Sequence, residues 1–133
     1  MRLSLLSIRA WESRDREQVQ ALLRLLAEDA QVRSNDAPTY VAESDGRVVG
    51  TVTVCVFSTL TGPKAFVDHL VVDPAWRRRG IGRALMRHAI DTARAAGASR
   101  VDLTASARKQ EGRALYESLG FRLRDTGSFR LEL

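Results

Sequence analysis

Residues Val67–Gly82, VDHLVVDPAWRRRGIG, constrain the fold more than any other stretch of the chain. An apolar run reads as a buried strand and leaves it sharply at Asp73-Pro74. A basic loop and two glycines follow, and then a helical pattern, IGRALMRHAIDTARAAG. A strand feeding such a loop and then a helix N-terminus is a ready anion site. The first-turn N–H groups have no acceptor inside the helix, and the helix dipole favours negative charge there. Gly80 and Gly82 remove side chains where a phosphate approaches the backbone. Arg77, Arg78, Arg79 and Arg83 surround that place with positive charge. The pattern calls for a ligand carrying a diphosphate.

A chain of 133 residues is long enough to bury one real core, and no repeat, low-complexity tract or linker divides it. We therefore read 1–133 as a single domain. The net charge of +5 attracts anions without naming the partner. No segment approaches the ~20 apolar residues that span a bilayer. The N-terminal MRLSLLSIRAWE is broken by Arg9 and Glu12 and reads as a first strand rather than a signal peptide. With one cysteine, no intrachain disulfide forms, which fits a cytoplasmic protein. Cys55, inside VVGTVTVCVF, reads as a small buried hydrophobe rather than a nucleophile. Two separated histidines, with no H-x-x-x-H or C-x-x-C spacing, give no expected metal site.

Leu5–Trp11 is a plausible first strand. Val19, Leu22, Leu23 and Leu26 then recur at helical spacing, with Ser13 or Asp15 as N-cap. Strands over Tyr40–Glu43 and Arg47–Phe57 meet at Asp45-Gly46, a strong hairpin signal. Ser58–Lys64, with Gly62-Pro63, reads as a second turn, and Ala65–Val72 as the third member of an antiparallel meander. The helix Ile81–Ala96 stops at Gly97, and Arg100–Thr104 is a short strand, parallel to its neighbour because a helix joins the two. A helix from Lys109 to Leu119 stops at Gly120, and Phe121–Leu133 alternates weakly enough for one or two more strands.

This order, with Arg77-Arg78-Arg79-Gly80-Ile81-Gly82 after a strand ending in VVDP and a late helix Ala114–Phe121 (ALYESLGF), resembles the GNAT superfamily of N-acetyltransferases. The six-residue run matches that family's acetyl-CoA loop, [Q/R]-x-x-G-x-[G/A], and the likeness covers nearly the whole chain. The resemblance implies a mixed α/β (α+β) fold. A mostly antiparallel sheet of about six or seven strands with a splayed parallel pair is flanked by three or four helices. It implies acetyl-CoA as cosubstrate, its pyrophosphate on the loop amides from about Arg78 to Arg83 and its pantetheine arm along Leu70–Val72 and Leu103–Ala105. Backbone near Val71 then meets the acetyl carbonyl, and Thr104 lies on the cofactor side. Lys109 stands where many members carry Asn, seven residues before Tyr116. With Arg108 it is assigned to the cofactor phosphates, against the reading of solvated charge at a helix start.

By the same resemblance, Tyr116 serves the leaving thiol as general acid, against a core-edge aromatic with its hydroxyl in water. Asp68 holds the place where related sequences often carry Glu and is the candidate base, against a loop-orienting carboxylate. Strand alternation puts Asp68, Leu70 and Val72 on one face and His69 and Val71 on the other, so His69 is the weaker base candidate. His88, inside the helix, reads as structural, as does Trp76 beside the loop; Tyr40 and Phe57 fall on the acceptor side. No nucleophile signature appears, so direct attack by a primary amine in a ternary complex is the simplest mechanism. Two other functions compete. One is a CoA-binding module without catalysis. The other is a nucleic-acid binder using Arg77, Arg78, Arg79, Arg83 and Arg87, although few aromatics are interleaved with that patch. Dimerisation is common in similar proteins, and a C-terminal strand would offer an edge for it. The acceptor amine, small molecule or protein, is not written in the chain.

Overall fold

The structure, a computed structural model, describes residues 6–33, 37–105 and 110–133. The chain divides into two compact units, Met1–Leu103 and Thr104–Leu133.

In the first unit, β1 (Leu6–Ala10), β2 (Thr39–Ser44), β3 (Arg47–Thr59), β4 (Gly62–Val72) and β5 (Val101–Asp102) form one sheet in chain order. The first three pairings are antiparallel, and β4 with β5 is parallel, as a crossover through a helix requires. Asp45 and Gly46 both take positive φ, 52° and 77°, which gives the β2–β3 hairpin the twist of its strands. The second turn is shorter than the expected Ser58–Lys64. Strand β3 runs on to Thr59, β4 begins at Gly62, and Pro63 lies in the ladder opposite Ser58.

Two helices cover the two faces. Helix α1 (Arg16–Leu23) turns Val19, Leu22 and Leu23 onto Val41, Val48 and Val71, with Trp11, Ala30 and Val32 at the margin. Helix α2 (Ile81–Ala95) buries Ile81, Leu85, Ala89 and Ala93, one stripe at i, i+4 spacing. It lies on the opposite face, where its His88 meets the ring of Tyr40 edge-on at 4.4 Å. Tyr40 adjoins Val41, which faces α1, and neighbours along a strand point to opposite faces. His88 is thus a packing residue, as the sequence implied. Asp15 stands at the N-cap of α1, one of the two expected positions, but its side chain makes no cap hydrogen bond to that helix. It sits in a 3-10 turn, Ser13–Asp15, and accepts hydrogen bonds from the Glu12 N–H and from Arg9.

In the second unit, α3 (Gln110–Ser118) is followed by a chain without strand structure. Among the described residues the sheet therefore has five strands, not six or seven. Phe129, Leu131 and Leu133 alternate as a strand would, yet stand 100%, 82% and 114% exposed, so nothing rewards pairing them. The expected strand Arg100–Thr104 is likewise reduced to Val101–Asp102. Among the described residues no helix is long and apolar enough to cross a membrane.

Candidate active site

The candidate phosphate end is built by backbone. Strand β4 ends at Val72, and Asp73 caps a 3-10 turn, Pro74–Trp76, accepting from the Ala75 N–H at 2.9 Å. Arg47 holds the other Asp73 oxygen at 3.1 Å. Arg77 Nε donates to the Val72 carbonyl at 3.4 Å, and the Arg79 guanidinium lies over the Trp76 ring, 5.1 Å from its centre. Trp76 therefore props the loop, as its packing role required. Arg78 and Gly80 both adopt left-handed backbone, φ 63° and 80°. Gly80 is the N-cap of α2, and no side chain caps that end. A Cβ placed on Gly80 would meet nothing within 4 Å among the described residues, so the backbone is open at that point. Of the predicted loop residues, Ile81 is buried, at 1% exposure, and only its backbone can serve a ligand. Arg77, Arg78 and Arg79 are exposed, and Gly82 and Arg83 half-buried.

Strand β4 provides the second feature. Thr51 faces Val71 and Thr53 faces Asp68, so Val52 alone stands opposite both His69 and Leu70. This is a β-bulge: one extra residue, with a bend and a break in alternation. His69 absorbs it with φ 53°, left-handed backbone in a residue that carries a Cβ. The expected alternation therefore fails here. Asp68 and Val71 share the α1 face, and His69 does not turn away from Asp68. The Asp68 carboxylate accepts the His69 N–H at 2.8 Å, and its other oxygen lies 3.6 Å from His69 Nε2. Both side chains are about half exposed. On the side away from β3, β4 pairs only at Ala65 and Phe66, so beyond Phe66 that edge has no strand partner among the described residues. Leu70 and Val72 along it are half-buried, and Val71 is buried.

The sequence reading missed two threonines. Thr39, Thr53 and Asp68 stand opposite one another on β2, β3 and β4, hence on one face. The Thr39 and Thr53 hydroxyls are hydrogen-bonded at 2.9 Å, and Thr53 is buried. The Thr-Val-Thr-Val run of β3 was the available signal, since it places hydroxyls at period two on a face otherwise apolar.

In the second unit the late motif has its own physical reason. Helix α3 ends in a Schellman turn: the Gly120 N–H donates to Glu117 and the Phe121 N–H to Tyr116. Gly120 takes φ 96°, which favours glycine, and the Phe121 ring meets Tyr116 edge-on at 6.1 Å. Tyr, Gly and Phe at this spacing thus form one helix stop, with its usual hydrophobic contact. Burial pushes the Tyr116 phenol above its ordinary value. Thr104 and Ala105 are exposed and outside any strand, while Lys109 and Arg108 lie outside the described residues.

The family model of the acetyltransferase (GNAT) family matches residues 5–121. The chain belongs to the GNAT acetyltransferase family. N-acetyltransferase family 8 member 3 of Rattus norvegicus is 39% identical over 92 residues, which are 68% of this chain and 40% of that protein. The ribosomal protein bS18-alanine N-acetyltransferase of Escherichia coli (strain K12) is 41% identical over 58 residues, 44% of this chain and 39% of that protein. The chain thus spans about two fifths of the length of these relatives. Among solved structures, a ribosomal-protein-alanine N-acetyltransferase from Brucella melitensis biovar Abortus 2308 superposes with a TM-score of 0.80 at 26% identity, covering 96% of this chain and 99% of that one. The loop Arg77–Gly82 of this GNAT chain thus sits in a mixed sheet of the family's kind, between β4 and α2.

Proposed function

We propose that this protein is an acetyl-CoA-dependent N-acetyltransferase that moves the acetyl group directly to a primary amine in a ternary complex. The observation that carries this reading is the loop after β4. Its left-handed Arg78 and Gly80 open onto a helix N-terminus whose N-cap residue is a glycine, beside a strand whose outer edge, beyond Phe66, is unpaired among the described residues. The Gly80, Ile81 and Gly82 amides, with Arg77, Arg78, Arg79 and Arg83, would hold the pyrophosphate. The β4 edge at Leu70, Val71 and Val72 would line the pantetheine arm, and Thr104 and Lys109 complete the cofactor side as the resemblance has it.

Bound acetyl-CoA supplies an activated thioester. The chain's own task is then proton traffic. The acceptor reaches the site as ammonium and must lose a proton before its lone pair can attack. Asp68, on the α1 face and in contact with His69, serves that removal. Tyr116, whose phenol is protonated at neutral pH as any tyrosine's is, donates to the departing thiolate.

Thermal unfolding with acetyl-CoA, CoA and ATP tests the cofactor. At ~100 times the dissociation constant, binding adds about 2.7 kcal/mol by linkage. We expect a rise of several degrees with the first two ligands and none with ATP. Release of CoA thiol in the presence of an N-terminal-alanine peptide, a lysine peptide and an aminoglycoside then tests the transfer. No shift at millimolar acetyl-CoA would sink the reading.

A further inference from the structure

We propose that the acceptor ammonium gives its proton to the imidazole of His69, with Asp68 as the residue that positions and neutralises that ring. This rests on the transferase reading and divides the proton-removing role between two side chains. Three observations carry it.

The first is strain. A Cβ-bearing residue at φ 53° is strained relative to extended backbone. His69 adopts this conformation in mid-strand while half exposed, where packing offers little in return. What the bulge achieves is placement, because it turns the imidazole toward its neighbour's carboxylate instead of to the other face. The second is the carboxylate. The His69 N–H fixes Asp68 Oδ1, which leaves Oδ2 at ion-pair distance from Nε2. That charge favours a proton on Nε2 and leaves Nδ1 as the acceptor atom. The third is the face. Asp68 closes the row Thr39–Thr53–Asp68, whose linked hydroxyls, Thr53 buried and Thr39 half-buried, leave the exposed Asp68 as the polar group that an arriving amine meets on that face. A free carboxylate is a poor proton acceptor for an ammonium, whereas an imidazole is matched to neutral pH.

The step balances. An ammonium N–H bond breaks as an N–H bond forms at Nδ1, and Asp68 offsets the imidazolium charge. The freed lone pair attacks the thioester carbonyl and forms the C–N bond, the C–S bond breaks, and the second proton shed by that nitrogen ends on the leaving thiolate.

The test is built on His69→Gly, because glycine accepts the positive φ and the variant should fold. Turnover is measured as CoA thiol release with an N-terminal-alanine peptide and with kanamycin. We expect kcat to fall on the order of 100-fold, KM for acetyl-CoA to stay within about twofold, and added imidazole to restore at least about tenfold. A kcat within about threefold of the parent would overturn the proposal, as would a loss that imidazole does not rescue. A second arm needs no acceptor. In 15N spectra of the ring nitrogens, the neutral His69 ring should carry its proton on Nε2, and Asp68→Asn should redistribute it. Spectra unchanged by Asp68→Asn would overturn the pairing. A parent enzyme that releases no CoA with either acceptor would instead count against the transferase reading, and the spectra would still judge the pair.

Discussion

Two contacts of a carboxylate with a nitrogenous side chain, Arg9 with Asp15 and His69 with Asp68, are built to opposite specifications. Around Arg9 the ion pairs are dense and shielded. Its guanidinium grips both oxygens of Asp15, at 2.8 and 3.0 Å, and reaches Glu43 at 3.0 Å. Asp15 is only 2% exposed and takes a further bond from the Glu12 N–H at 2.7 Å. At the β4 bulge, Asp68 and His69 are 56% and 49% exposed, and their contact is loose at 3.6 Å. The backbone at Arg9 is ordinary β-strand, whereas that at His69 is left-handed. The first pair ties the chain entry to β2. The second contributes little to folding and holds an ionisable ring open to solvent. The pair that stabilises and the pair proposed for chemistry thus differ in burial and strain.

The comparison breaks most visibly at Arg9. Arg9→Met leaves Asp15 buried without its partner, which should cost about 3 kcal/mol and lower Tm by roughly 10 °C. Urea unfolding measures it, and a loss under about 1 kcal/mol would mean the cluster is not structural. Acid should find the same weakness. The Arg9 hydrogen bonds hold Asp15 below the usual carboxylate range, helped by the Glu12 N–H, and Arg9 holds Glu43 down as well. A depressed folded-state pKa stabilises the native form above the unfolded value, near pH 4, and that stability is lost as pH falls through the lower folded value. The parent should therefore lose stability steeply below about pH 4, and Arg9→Met should show a flatter acid limb.

Gly80 falls between the extremes. It has room for a side chain but the wrong φ for one, so Gly80→Val should cost about 1–2 kcal/mol through backbone strain alone. The greater consequence is for the ligand, because a side chain over the loop occupies the space proposed for phosphate. Calorimetry should show acetyl-CoA affinity reduced at least about tenfold, a loss larger than the strain accounts for. Unchanged affinity would remove the loop from the site.

These three places were not equally legible in the sequence. The loop was readable because its geometry is imposed by glycines and prolines, whose conformational limits are written in their identity. Helix α2 was readable from its stripe of Ile81, Leu85, Ala89 and Ala93, and the β2–β3 hairpin from Asp45-Gly46. The bulge was not. Period-two reasoning assigns faces correctly until one residue is inserted, and nothing in VDHLVV announces that Val52 will face two partners. The Arg9 cluster was invisible for a similar reason, since it joins residues up to 34 positions apart through strand register. The tail misled in the other direction. Its alternation is real, but a strand needs a ladder partner as well as a pattern.

The smallest expected effect on stability is also the most discriminating. His69→Gly relieves about 1 kcal/mol of left-handed strain, while the unfolded chain gains roughly 0.5–1 kcal/mol of backbone freedom from the glycine. The exposed contact with Asp68 contributes little, so the terms nearly cancel and unfolding should shift by less than about 0.5 kcal/mol. Asp68→Asn should be equally mild. Near-neutral stability with a large loss of turnover would mark the bulge as a site kept for chemistry. A loss above about 2 kcal/mol in either variant would place the pair beside Arg9 and Asp15, as one more device holding the sheet together.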